Sequence, residues 1–301
     1  MPLAFFAVLL PTLFWDRPVA TADTLRKAGI ERLAVPAGQE PAWRKLGFAA
    51  DEFDRARAVQ AVAPKVEYHM DVASATRVPW VDANGWRFER EPRRAFFYDA
   101  PAGSAALAAA EAFAYGAEAA IRAAPEDLAP FAAMLKFLGE IDQARLPVSA
   151  NIGVLDDGSD TMAEVLNLLA RHNLLFHVIP AADLKYGLNI RHVPEAVNPY
   201  EFAMKVRRDL TDERRLVRIF GSTVVLVRLT GDSSQARVHL LNYGKAAVKG
   251  LRVRVLGAYA QGKLAAFEHP VEALEEYSVE DGATEFTIPV LGAYAVVDLR
   301  H

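Results

Sequence analysis

Arg237-Val238-His239-Leu240-Leu241-Asn242-Tyr243-Gly244 is the stretch on which the fold turns. Val238 and Leu240 alternate with Arg237 and His239, the period of two expected of a strand with one apolar face. The alternation predicts one buried face and one wet one. Asn242-Tyr243-Gly244 then supplies turn chemistry. Working outward, residues 217–220, 224–229, 248–256, 284–289 and 294–299 are also short and rich in β-branched residues. Gly221, Gly231-Asp232 and Gly257 punctuate them. Short strands spaced this regularly predict an antiparallel β-sandwich over residues 211–301.

Upstream the pattern alternates strand-like and helical runs. Residues 3–10 form a continuous apolar run, 21–28 a helix stopped by Gly29, and 30–35 a strand. Residues 51–59 read as a helix, with Asp51 and Arg55 spaced to pair on one face. Residues 66–70 and 96–99 read as further strands. Ser104 is placed to cap an alanine-rich helix carrying Leu107, Ala110 and Phe113 on one stripe. Pro125 can open another helix, whose buried face is Phe131, Met134, Leu135 and Leu138. Residues 148–154 and 175–179 are strands around a helix that Thr161 and Glu164 would begin as a capping box. Residues 1–210 are therefore expected to form an α/β domain, either a reduced (β/α) barrel (TIM barrel-like) or an open parallel sheet.

The 301 residues are 52% hydrophobic and 24% charged, enough apolar material for a real core. A net charge of −4 gives no reason to expect nucleic acid or an anionic membrane as partner. Lys and Arg do cluster at 205–208 and 214–218, but Asp209, Asp212 and Glu213 interleave with them. There is no cysteine, so disulfides, thiol nucleophiles and thiolate metal sites are all excluded. No phosphate loop, dinucleotide fingerprint or serine-nucleophile elbow occurs. No His cluster has zinc spacing, and Asp156-Asp157-Gly158-Ser159-Asp160 lacks the distal ligands of a calcium loop. No cofactor and no metal are expected. The apolar start, residues 1–15, lacks the basic residues of a signal peptide and reads better as a buried strand. The compartment stays open, as does association with copies of the same chain.

The remaining polar inventory is carboxylate-based. Glycoside hydrolysis uses two carboxyl groups, and sugar sites add flat aromatic faces. Trp15-Asp16-Arg17 follows the first apolar run, Trp80-Val81-Asp82-Ala83-Asn84-Gly85-Trp86 puts two indoles around an Asp and an Asn, and Tyr98-Asp99 ends a strand. The candidate acids are therefore Asp16, Asp71, Asp82 and Asp99. Trp15, Arg17, His69, Trp80, Asn84, Trp86 and Tyr98 are the candidate sugar-binding residues. Asp16 and Asp99 would emerge at the carboxyl ends of parallel strands, where α/β folds place ligands. His69 and Asp71 share one side of a strand and offer a base with an orienting acid. For any single one of these acids, a turn or cap role is the commoner use.

Ala110-Glu111-Ala112-Phe113-Ala114-Tyr115-Gly116-Ala117-Glu118-Ala119, then a helix, a strand at 148–154 and the acid turn at Asp156-Asp157, follow one another in an order that resembles barrel-type glycoside hydrolases. The likeness is to β-galactosidase-like enzymes, which close with a small β-sandwich. It implies a carbohydrate ligand. No catalytic glutamate of that family has a counterpart here, so hydrolysis and binding without turnover both stay open.

Overall fold

Apolar strands joined by short helices build the first part of the chain, the pattern that lays strands side by side in parallel. The computed structural model describes residues 10–61, 83–142, 146–194, 197–244, 246–269 and 273–301. Packing divides the chain into two units, one drawn from Met1–Val62 and Glu91–Arg145, the other from Ala63–Arg90 and Leu146–His301. β1 (Thr12–Phe14), α1 (Ala22–Ala28), β2 (Arg32–Val35), α2 (Glu40–Lys45), β3 (Ala49–Glu52) and β4 (Val59–Ala61) come first. A short helix, α3 (Gly85–Arg90), belongs to the second unit. β5 (Ala95–Asp99), α4 (Ala105–Tyr115), β6 (Glu118–Arg122) and α5 (Leu128–Glu140) complete the first.

The six strands of the first unit form one sheet in the order β3-β2-β1-β6-β5-β4, and every pairing is parallel. This is the order of the chain around a circle, broken between β3 and β4. The sheet is curled. Phe14 of β1 meets Phe97 of β5 with ring centroids 5.1 Å apart, and Phe53 beyond β3 at 5.9 Å. Each partner lies two strands away, about 10 Å in a flat sheet. Phe14, Ala34, Phe97 and Ala120 thus share one inner cluster, with Phe53 and Ala58 packed against it.

Residues 51–59 are not a helix. Asp51 and Glu52 end β3, because Ala34 and Val35 of β2 pair with them in register. A turn follows, in which the Ala56 N–H donates to Asp54 Oδ1 at 3.0 Å. Asp51 accepts from Arg32 and Arg44 instead of meeting Arg55. Ser104 precedes α4, but its hydroxyl donates to the Pro101 carbonyl and does not cap the helix. The Ala-Tyr-Gly-Ala-Glu stretch is the end of α4, a left-handed Gly116 at φ 61°, and the start of β6. Glycine is the residue that takes this conformation without strain. The strands expected at 3–10 and 66–70 lie outside the described residues, apart from Leu10.

In the second unit β7 (Ile152–Val154), α6 (Asp160–Arg171), β8 (Phe176–Val178), β9 (Leu188–Ile190) and α7 (Pro199–Leu210) form a small α/β layer. Its sheet is parallel, in the order β8-β7-β9. The cap of α6 is Ser159, whose Oγ accepts the Met162 N–H at 3.1 Å, so Glu164 lies inside the helix and not in a capping box. Burial raises its carboxyl to about 7, against the pull of Arg171.

The sandwich follows: β10 (Val217–Phe220), β11 (Val225–Gly231), β12 (Gln235–Asn242), β13 (Val248–Leu256), β14 (Gln261–Ala266), β15 (Glu275–Glu280), β16 (Ala283–Leu291) and β17 (Tyr294–Arg300). Two antiparallel four-stranded sheets, β10-β13-β16-β15 and β11-β12-β17-β14, close over Val227, Val238, Leu240, Val253, Phe286 and Val297. The expected wet face does not exist. Arg237 and His239 are each 4% exposed. Arg237 makes a bidentate pair with Asp298, at 2.6 and 3.1 Å, and a hydrogen bond of 2.7 Å joins His239 Nδ1 and the Tyr294 hydroxyl. Burial, with Arg237 and Arg228 nearby, lowers the His239 imidazole to about 3, so it is neutral. The cover comes from residues remote in sequence, among them Ala83, which packs on Leu226.

Asn173, just past α6 in the left-handed region at φ 53°, stitches the α/β layer to the edge of the sandwich. Its side chain donates to the Val225 carbonyl at 3.0 Å and accepts the Val227 N–H at 2.9 Å. Asn173→Ala strands both buried backbone groups and is expected to cost about 2–3 kcal/mol in urea unfolding. For Glu164 the folded protein holds the proton more tightly than the unfolded chain. Its stabilisation is therefore complete below about pH 4.5 and lost as pH rises through about 7. Glu164→Gln should leave stability at pH 4 unchanged and raise it at pH 8, on the order of 1–2 kcal/mol given partial solvent access.

Candidate functional site

The carboxyl ends of β1, β5 and β6 meet at one guanidinium. Arg122 is the last residue of β6 and stands in register with Asp99, the last of β5. Its Nη1 donates to Asp99 Oδ2 at 3.2 Å and its Nη2 to Asp16 Oδ2 at 2.6 Å. Asp16 follows β1 by two residues, and the two acids are thus brought together from strands that do not adjoin. Below them the Arg122 guanidinium lies 5.6 Å from the Phe14 ring centroid and 5.4 Å from that of Phe97.

An open cleft of about 720 Å³ lies over this floor, lined by Phe14, Asp16, Glu52, Phe53, Arg55 and Arg122 among others. Glu52 accepts the Gly38 N–H at 2.7 Å, and Asp54 pairs with Arg57 at 3.2 Å. The mouth therefore presents carboxylate acceptors held by fixed donors, next to aromatic surface.

The other candidate residues go elsewhere. Trp15 is 3% exposed, and its Nε1 donates to Thr21 Oγ1 at 2.9 Å. Arg17 stacks on its ring at 5.1 Å. Tyr98 is buried in the same sheet. Asn84 and Trp86 belong to the second unit. Asn84 is buried and accepts from Arg87 Nη1 at 2.9 Å. Trp86 is 7% exposed, in the core cluster with Ile152 and Met162, while Arg87 lies over its ring. Neither buried indole offers a sugar an open face. His69, Asp71, Trp80 and Asp82 lie outside the described residues.

Sequence reasoning passed over Arg122 and a second charged cluster, and gave Arg55 only a helical pairing with Asp51. In the second unit Glu89 of α3, 4% exposed, accepts from Arg228 Nη2 of β11 at 2.6 Å and hydrogen-bonds His177 Nδ1 of β8. Beside it, Arg90 makes a bidentate pair with Asp156, at 2.6 and 3.0 Å. The available signal for Arg122 was a charge ending the apolar run Ala119-Ala120-Ile121. Nothing local in sequence pointed to Glu89, whose partners are 88 and 139 residues away. Among the described residues no group of three or more metal-ligating side chains occurs, and no helix is long and apolar enough to cross a membrane.

No family model matches the chain, and no curated protein matches it. Solved structures do. The α-L-fucosidase isoenzyme 2 from Paenibacillus thiaminolyticus matches 89% of this chain and 68% of its own, with a TM-score of 0.50 at 10% identity. A catalytic mutant of a GH42 β-galactosidase from G. stearothermophilus matches 81% of this chain and 63% of its own, with a TM-score of 0.41 at 9% identity. A Paenibacillus cycloisomaltooligosaccharide glucanotransferase complexed with cycloisomaltoheptaose matches 48% of this chain and 27% of its own, with a TM-score of 0.24 at 14% identity. The chain has the fold of a parallel α/β sheet followed by two antiparallel sheets, and is structurally similar to glycoside hydrolases.

Burial works to raise the Glu89 carboxyl, but Arg228 and His177 outweigh it and hold the group below its ordinary value. Its contribution to stability is present above about pH 4.5 and is lost as pH falls through the folded value. Glu89→Ala leaves Arg228 buried without this carboxylate and should cost about 3–5 kcal/mol at pH 7. The gap between variant and wild type should narrow in urea titrations repeated below pH 4.

Proposed function

We propose that this chain binds carbohydrate in the mouth of the curled sheet, with Asp16 and Asp99 accepting sugar hydroxyls. The observation that carries the reading is the sharing of Arg122 by the two acids. A carboxylate fixed by a guanidinium keeps further lone pairs, and its position is set before the ligand arrives, which lowers the ordering cost of binding. The cleft falls within the roughly 300–1,000 Å³ typical of small-molecule sites. Phe53, half-buried at the rim, gives it apolar surface for a sugar face to stack against.

Binding is favoured over hydrolysis because a glycosidase needs its two carboxyl groups in different environments, one holding a proton and the other charged. Here one cation holds both. The structural likeness to a fucosidase supports a sugar ligand as a matter of fold only.

A glycan array followed by calorimetry tests the reading. The wild type is expected to retain at least one oligosaccharide class, and Arg122→Ala to weaken it at least about tenfold, about 1.4 kcal/mol. A correctly folded wild type that retains no glycan would sink the proposal. Turnover of chromogenic glycosides that Asp16→Asn or Asp99→Asn abolishes would replace binding with hydrolysis.

A further inference from the structure

Arg55 occupies a position that helical spacing would not have given it. The turn after β3 carries it over the inner face of the sheet, where its guanidinium carbon stands 4.4 Å from the centroid of the Phe97 ring. The same ring carries Arg122 at 5.4 Å, so two guanidinium groups share one aromatic floor. They differ in what holds them. Arg122 is bonded to Asp16 and Asp99. Among the described residues the Arg55 guanidinium has no hydrogen-bond or ion-pair partner, although it lines the same cleft as Asp16, Glu52 and Asp54.

Each of those three carboxylates bonds a group other than Arg55. Asp16 lies on Arg122, Glu52 accepts the Gly38 N–H, and Asp54 accepts the Ala56 N–H and pairs with Arg57. An aromatic face under a guanidinium strips water from one side and fixes its plane, while its edge N–H groups stay free. That edge is a planar fork of donors, whose best complement is a planar carboxylate bound through both oxygens. The cleft thus sets a hydroxyl acceptor, Asp16, with Asp99 behind the shared Arg122, beside a cation that has no direct ion-pair partner.

We infer that the ligand is an acidic sugar, a uronic acid residue whose hydroxyls meet Asp16 and Asp99 and whose carboxylate meets Arg55. The inference rests on the sugar-binding reading above and names its ligand class. Arg55 is the residue that discriminates an acidic ring from a neutral one.

The test is calorimetry of the full chain with short oligouronates and with the same oligosaccharides after reduction of their carboxyl groups to alcohols. Wild type is expected to bind the oligouronate about tenfold more tightly than its neutral counterpart, as one charge-assisted bidentate contact allows. That preference should shrink as salt is raised. Arg55→Gln should bring the acidic-to-neutral ratio to about one, and Arg55→Lys should restore part of it. Arg55 is exposed, so thermal melts of both variants are expected to match wild type. Equal affinity for acidic and neutral sugars in wild type, or a preference that survives Arg55→Gln, overturns the assignment while leaving sugar binding in place. Binding of neither ligand overturns the sugar reading itself, and the assignment with it.

Discussion

The sheet β11-β12-β17 is buried on both faces, and much of the second unit follows from that constraint. Its inner face is apolar and closes the sandwich. Its outer face carries Arg228, Arg237 and His239, groups that cost several kcal/mol each if charged and unpaired away from water. Every one is answered: Arg228 by Glu89, Arg237 by Asp298, and His239 by neutrality and a tyrosine hydroxyl. The sandwich is therefore not an independent appendage to the small α/β layer. Glu89 and Asn173 tie that layer and α3 to the β11 strand at the sandwich edge. A helix of six residues has little stability of its own, so α3 owes its form to Trp86 and Glu89 being docked.

How far this could be read from sequence depended on whether the deciding partners were near in the chain. Strands β10 and β13 are legible to the residue, because β-branched runs end at glycine turns. β14 and β15 are not, since Gln261–Ala266 and Glu275–Glu280 are edge strands with little apolar demand, and such strands carry weak signals. The alternation at Arg237 and His239 correctly marked two faces but not their wetness. Polarity tells which side a residue takes, and only long-range packing tells what covers that side. In the first unit Asp16 and Asp99 are legible as strand-end acids. Arg122, the group that joins them, is hidden because β6, Glu-Ala-Ala-Ile-Arg, carries a single β-branched residue and so little strand signal.

The curled sheet explains why the mouth has the character it does. Phe14 and Phe97 are large where Ala34 and Ala120 are small, so the inner layer fills without closing the top. The rings become a floor, and the charged groups that end the strands must stand above it. Two arginines over one phenylalanine, one neutralised and one not, give the cleft a built-in asymmetry. That asymmetry comes from a turn after β3 and owes nothing to a catalytic motif.

The excursion of α3 has a consequence for the order in which the protein forms on the ribosome. The chain leaves the first unit after β4, lends α3 to the second, and returns as β5. Glu89 is made 139 residues before Arg228. At ordinary rates of synthesis its carboxylate waits on the order of ten seconds for that partner. Until then α3 can dock only on the small α/β layer, through Trp86 and His177, with Glu89 still lacking its guanidinium. Maturation is thus gated by the last third of the chain, and truncation there reaches back to residues synthesised long before.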